Sequence, residues 1–209
     1  MTPSKTVPGR WGYHLPILGY HRIGAFKGDH VPTVSPQTFE RQLAFLARHR
    51  YQVLGLDALV GLFDRGEPMP HRSVAITFDD GYEEVYSIAW PLLKRFRLTA
   101  ALFVTPNEVG LPSFMSWKQV ADMAREGVTI GSHTMNHRYL PLVSEDRLAE
   151  EIAQSKRVIE EQIGIPVHYI SYPVGGYTPL VQVAVKRAGY RAACTTNRAW
   201  SRNGMDPFA

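Results

Sequence analysis

Short runs of apolar, β-branched residues without polar alternation recur along this chain, each followed by an amphipathic stretch. Ser73–Phe78 (SVAITF) is the clearest run, with Pro16–Tyr20, Thr99–Val104, Val128–Gly131, Val167–Ser171 and Tyr190–Thr195 as others. A strand that is apolar on both faces has to be covered on both sides, which is the signature of a parallel sheet flanked by helices. Between these runs, helices are marked by their caps. Ser35 with Pro36 opens one that carries Phe39, Leu43, Leu46 and Ala47 on a single face. Leu56–Phe63 forms a short one, and Glu83–Phe96 another, with Pro91 as a source of a kink. Ser116 caps a helix that Gly127 stops, Ser144 opens the longest helix, running to about Ile163, and Pro179–Ala188 forms the last. Counting the short run Tyr51–Leu54, about seven strands alternate with helices. The pattern therefore predicts a single α/β domain over residues 16–209, preceded by a loose arm at 1–15. It leaves open whether the sheet is open or closed into a barrel.

Composition narrows the function. The chain has 209 residues, 44% hydrophobic and 20% charged, with a net charge of +4. Lys and Arg are scattered rather than clustered, which argues against a nucleic-acid partner. No segment approaches the roughly 20 apolar residues of a membrane span. The polar start, Met1–Trp11, carries no apolar stretch of the signal-peptide kind, so the default compartment is the cytoplasm. Cys194 is the only cysteine, which excludes an internal disulfide. It reads as part of a buried strand.

In β/α folds the reactive groups gather at the C-terminal ends of the strands. Four of the strands here lead into Tyr20-His21, Asp79-Asp80-Gly81, Ser132-His133-Thr134-Met135-Asn136-His137 and Ser171-Tyr172-Pro173-Val174-Gly175-Gly176-Tyr177. Two histidines four apart reach one ion if they lie on a helical turn. Imidazole suits zinc and its neighbours, and a carboxylate is the natural third ligand. Two adjacent carboxylates at the end of a buried strand repel each other unless a cation or a proton compensates. One of the pair Asp79-Asp80 can therefore ligate while the other serves as a general base. A metal would polarise an acetyl carbonyl and acidify water. The Pro173-Val174-Gly175-Gly176 turn offers a backbone N–H to an oxyanion, and His21 is a candidate general acid. The plain alternatives are a strand-ending turn and a structural histidine.

These motifs resemble a known family. Thr77-Phe78-Asp79-Asp80-Gly81 and Ser132-His133-Thr134-Met135-Asn136-His137 are similar to the first two motifs of the polysaccharide deacetylases, the NodB-homology domain of carbohydrate esterase family 4. The resemblance runs from about Pro16 to the C-terminus. It implies a distorted (β/α) barrel, with Asp79 as base and Asp80, His133 and His137 holding a divalent metal. That metal is usually Zn2+, with Co2+, Ni2+ or Mn2+ as alternatives. It also implies an oxyanion hole at the Val174 N–H, and an acetylated carbohydrate as substrate. Pro173 and Tyr177 flank the implied cleft, Tyr177 being as readily a core residue as a substrate contact.

The chain departs from the family pattern in three places. Ser171-Tyr172-Pro173 stands where an Arg that orients the base is usual, so Asp79 lacks that partner. The late Leu-x-x-His motif is absent. The chain also ends earlier than the resemblance implies. Leu18-Gly19-Tyr20-His21 resembles the early Tyr-His element of the circularly permuted poly-N-acetylglucosamine deacetylase branch, which assigns the acid role to His21. The leading expectation is N-deacetylation of N-acetylglucosamine-containing polymers or oligomers. The alternatives are an O-acetyl ester or a non-sugar amide or imide as substrate, or a glycan-binding module that has lost turnover. Relatives often work outside the cytoplasm. Oligomeric state is not specified by the sequence.

Overall fold

The computed structural model describes residues 15–25, 31–196 and 206–209. At its centre β5 (Ser73–Phe78) is buried along its whole length, as an unalternated apolar run requires. Parallel neighbours extend it to a sheet of order β1 (Ile17–Tyr20), β5, β6 (Ala101–Val104), β7 (Thr129–Ser132), β8 (Tyr169–Ser171), β9 (Ala192–Cys194). A short β4 (Gln52–Val53) also pairs with β5, giving seven strands, while β2 (Arg22–Ile23) and β3 (Thr33–Val34) form a separate pair. The helices are α1 (Pro36–Arg48), α2 (Leu56–Asp64), α3 (Trp90–Phe96), α4 (Trp117–Arg125), α5 (Glu145–Ala149), α6 (Ser155–Ile163) and α7 (Pro179–Arg187).

Alternate strand residues enter two cores. Val74, Ile76, Phe78, Leu102, Val104, Ile130 and Ile170 pack outward among the helices. Ala75, Ala101, Phe103 and Tyr169 point to the inside of the curl, which α2 fills with Leu56, Leu59 and Val60. The sheet thus curls as a barrel does, with β1 and β9 as the two ends of the strand order. A cavity at this seam is lined by Ile17, Leu56, Tyr169 and Cys194, among others. The fold is an α/β half-barrel, a curled parallel sheet of seven strands in keeping with the distorted (β/α) barrel that the resemblance implied.

Local signals act as read, with instructive exceptions. Ser35 accepts from the Thr38 N–H, and Ser116 forms a reciprocal capping box with Gln119. The longest helical stretch stops at Gly164 in the left-handed conformation. Two stretches are not uniformly α-helical: Val85–Ala89 and Glu150–Gln154 are π-helical turns, leading into α3 and α6. In the first, Pro91 has no N–H for the carbonyl four residues back, and the wider turn absorbs that defect. Ala47 is exposed, so the buried face of α1 is Phe39, Leu43 and Leu46. Leu15 is buried in the inner core, and residues 1–14, the rest of the expected arm, lie outside the described residues. His14 and His30 also lie outside them. Cys194 is half-buried, because β9 lies at the edge of the sheet. Among the described residues no helix is long and apolar enough to cross a membrane.

Gly131 on β7 shows how tightly the inner face is packed. A Cβ there would overlap the Phe103 ring and stand 2.9 Å from the Tyr169 carbonyl oxygen. Gly131→Ala is therefore expected to lower unfolding free energy by about 1–3 kcal/mol, the usual cost of overpacking. Urea denaturation measures this, and a loss below about 0.5 kcal/mol, the range of a neutral surface change, would contradict the packing argument.

Candidate active site

The C-terminal ends of β1, β5, β7 and β8 bring the predicted residues to one rim. Pairing of β1 with β5 in register Tyr20 to Phe78 sets His21 beside Asp79, whose N–H donates to the Tyr20 carbonyl at 2.9 Å. β5 ends at Phe78, and Asp80 lies just beyond in the left-handed region, φ 72°. That conformation is uncommon for a side-chain-bearing residue and costs energy. Here it turns the Asp80 carboxylate under the segment after β7. Gly81, φ 91°, lets the turn pass Val104, whose Cγ1 would lie 3.2 Å from an added Cβ.

Asp80 Oδ1 stands 3.4 Å from His133 Nε2 and 3.4 Å from His137 Nε2. One ligand atom from each of the three residues lies within 4.8 Å of the others. The two histidines do not lie on a helical turn. They sit on an irregular loop in which Thr134 (φ 66°) and His137 (φ 53°) take left-handed conformations that fold it back on itself. His133 is buried and its Nδ1 pairs with the Ser171 carbonyl at 2.8 Å. That contact places the ring's N–H on Nδ1 and leaves Nε2 as an acceptor facing Asp80.

Burial dominates the electrostatics. It pushes the His133 pKa down to about 4, against the pull of Asp80, so this imidazole is neutral at ordinary pH. It pushes the Asp79 carboxyl up to about 6, while His21, the Ser171 hydroxyl and His137 draw it back. The hydroxyl of Ser171 donates to Asp79 Oδ2 at 3.3 Å, in the place where the family pattern has an arginine. Glu108, on the loop after β6, is raised by burial and by the charge of Asp80, so a further acid borders the rim.

Asp80 Oδ1, Asp79 Oδ1 and His21 Nδ1 are all buried without a hydrogen-bond partner in this structure. Buried polar atoms left unpaired are costly. An acceptor oxygen and two imidazole nitrogens converging on one point form a set that fits a divalent cation. Asp79 stands beside that set with one oxygen also unpaired.

The remaining predicted residues surround this centre. Val174, at φ 56°, has a 71% exposed side chain at the tip of a turn. Thr195 and Thr196 hydroxyls brace that turn by donating to the Gly175 and Val174 carbonyls. Pro173 is buried beneath it. Tyr177 stacks on the buried Tyr172 ring at 5.2 Å, so packing accounts for part of its position. Trp117 packs partly buried against the outer core.

Three supports carry no signal in the sequence. Ser171 serves two site residues, which depends on the register of β8 against β7. Arg22, next to His21, forms a buried ion pair with Glu84 at 2.6 Å. Glu151 binds the loop between the two histidines. All three are long-range pairings, which no local pattern of residues announces.

Comparison with known proteins bears on the family and the fold of this chain. Residues 66–193 match the model of the polysaccharide deacetylase family. YxkH of Bacillus subtilis (strain 168) is 31% identical over 182 residues, which cover 87% of this chain and 64% of YxkH. The poly-beta-1,6-N-acetyl-D-glucosamine N-deacetylase of Staphylococcus aureus (strain MRSA252) is 27% identical over 173 residues, covering 76% of this chain and 59% of the relative. The chain thus spans less than two thirds of the length of these curated relatives. Among solved structures, the Streptococcus pyogenes deacetylase PplD in complex with acetate superposes with a TM-score of 0.85 at 26% identity, covering 91% of this chain and 87% of PplD.

The Arg22–Glu84 pair ties the segment carrying His21 to the turn after Asp80. Its two side chains are each 10% exposed. Glu84→Ala is expected to destabilise by about 3–5 kcal/mol, because it removes a buried carboxylate bonded at 2.6 Å to the Arg22 guanidinium. The double change Arg22→Met/Glu84→Leu should cost less than Glu84→Ala alone in urea unfolding. A larger cost for the double change would show that the ion pair itself stabilises.

Proposed function

As the chain belongs to the polysaccharide deacetylase family, we propose that it removes acetyl groups from a carbohydrate by hydrolysis, with N-acetylglucosamine-containing polymers or oligomers as substrate. The observation that carries this reading is the buried Asp80 oxygen, without a hydrogen-bond partner and 3.4 Å from each of two imidazole nitrogens, with Asp79 alongside. The name of the Staphylococcus aureus relative supports the choice of N-acetylglucosamine, and acetate bound to PplD supports deacetylation.

Asp80, His133 and His137 would hold a divalent ion, with Zn2+ favoured by two imidazoles and one carboxylate. Such an ion supplies Lewis-acid polarisation of the acetyl carbonyl and lowers the pKa of water. Asp79 takes the proton of the attacking water. Its raised pKa makes it a stronger base than an exposed aspartate, and the Ser171 hydroxyl keeps its carboxylate oriented. The Val174 N–H, at the tip of its braced turn, donates to the oxygen that gains charge as water adds to the carbonyl. His21 gives a proton to the nitrogen as the carbon–nitrogen bond breaks, yielding acetate and a free amine. Pro173 and Tyr177 border the sugar. Ser171 supplies the positioning that the missing arginine would, which favours turnover over a binding-only module.

Acetate release from N-acetylglucosamine oligomers, with and without a chelator, tests this reading. Chelation should abolish release and added Zn2+ restore it. Asp79→Asn should lose turnover while still binding one metal ion per chain, and His133→Ala should lose both. An Asp79→Asn protein with full activity would remove Asp79 from the role of base. His21→Ala should slow the reaction roughly 100-fold or more, the scale of general-acid catalysis. A rate unchanged by that substitution would assign the proton to another donor.

A further inference from the structure

Three buried charged residues, Arg22, Glu84 and Glu151, are absorbed by no step of the chemistry, and Glu151 binds the loop that carries both histidines. Glu151 is 5% exposed, although it belongs to a helical stretch in which Glu145, Asp146, Glu150 and Glu161 are exposed. It lies within the π-helical turn Glu150–Gln154. Such a turn inserts a residue into the helix and re-aims the side chains around it, and it is frequent at functional sites. The turn is held in place: the Ile152 carbonyl accepts from the Ser155 hydroxyl at 2.9 Å and from the Tyr190 hydroxyl at 3.0 Å. Ser155 in turn pairs with Ser132, the residue before His133, at 2.7 Å.

So aimed, Glu151 binds the loop through three contacts. Its backbone carbonyl accepts from the Met135 N–H at 3.0 Å. Its Oε2 accepts from the Asn136 N–H and its Oε1 from the Asn136 side-chain amide, each at 2.9 Å. The Asn136 side-chain oxygen accepts from Asn107 Nδ2 at 2.5 Å, which ties the same loop to the segment after β6. Met135 and Asn136 stand between Thr134 and His137, the two left-handed residues that set where the imidazoles point. A loop bent this way relaxes unless its neighbours over-determine it.

We propose that Glu151 is a positioning residue that presets the separation and aim of His133 and His137 for a divalent cation, acting through Asn136. This inference rests on the metal-binding reading above. It makes the metal affinity of the chain a property of a carboxylate that touches neither the ion nor the substrate.

The test uses polarity reversal. Glu151→Gln puts an amide donor against the Asn136 amide donor, whereas Glu151→Gln/Asn136→Asp restores the side-chain contact with donor and acceptor exchanged. Zn2+ affinity is measured on the full chain by competition with a chromophoric chelator, and site geometry by the visible absorption of the Co2+ form. Glu151→Gln should weaken Zn2+ binding about 10- to 100-fold, the usual effect of losing an outer-shell partner, and alter the Co2+ bands. The double substitution should regain most of the affinity and the original bands. Affinity and spectrum unchanged in Glu151→Gln, or a loss that the double substitution does not repair, would overturn the proposal. If Glu151→Gln does not fold, Asn136→Ala on the half-buried loop should show the same direction of change, and no change there would also overturn it. An unaltered chain that binds no Zn2+ would sink the metal-binding reading itself, an outcome distinct from metal binding that is indifferent to residue 151.

Discussion

A carboxylate oxygen sealed from water, 3.4 Å from each of two imidazole nitrogens, sets the terms for the whole rim of this fold. Asp80 Oδ1 is that oxygen. Transferring an ionised carboxylate into such surroundings is expensive unless positive charge or donors are supplied. His133 does not supply the charge, since burial holds it neutral. Asp79 next door responds to the same burial by a pKa raised to about 6. Both of these groups are driven toward their neutral forms, and one divalent cation among them would relieve all of these costs together. The arrangement makes physical sense as the inside of a coordination shell and little sense as a packed core.

The sequence announces the chemistry through residue types that have few other uses. Adjacent aspartates after a buried strand, and histidines four apart after another, are costly in a core and unusual in a turn, so they stand out from their neighbours in the chain. The strands are legible for a similar reason: SVAITF cannot be half-exposed. The relation between these parts is less legible. Whether the curl closes depends on β1 meeting β9, and neither edge advertises its partner. The π turns arise from one residue too many in a helix whose polarity pattern looks ordinary. Glu151 reads in sequence as one more acid on a solvated helix, and Ser171 as the plain end of a strand. Their roles come from register, Ser132 against Ile170 in one case and the π turn against the loop in the other.

The turn that carries Val174 shows how distant chain segments converge on the rim. Tyr172, buried beneath it, donates to the Phe208 carbonyl at 3.1 Å, and the Gln182 amide donates to the same oxygen at 3.0 Å. The Ala193 N–H on β9 donates to the Pro207 carbonyl at 2.8 Å. Residues 206–209 therefore lie along the outer edge of β9 and support the base of the turn. Such bracing suits the role proposed for the Val174 N–H, because preorganised donors stabilise a developing charge without moving.

Strain is distributed accordingly. Among the described residues, eight that bear side chains take positive φ, and four of them are Asp80, Thr134, His137 and Val174. Each costs on the order of 1–3 kcal/mol relative to a relaxed backbone, and none is excused by a glycine. A fold can hold four such residues side by side only if what lies beneath them does not yield. Here that foundation is a strand buried at every residue, a glycine on β7 with no room for a methyl group, and a hydroxyl network that fixes the helix behind the histidine loop. The rigidity of the curled sheet and the bent geometry of the rim are two aspects of one design, since a softer core would let the backbone relax and Asp80, His133 and His137 drift apart.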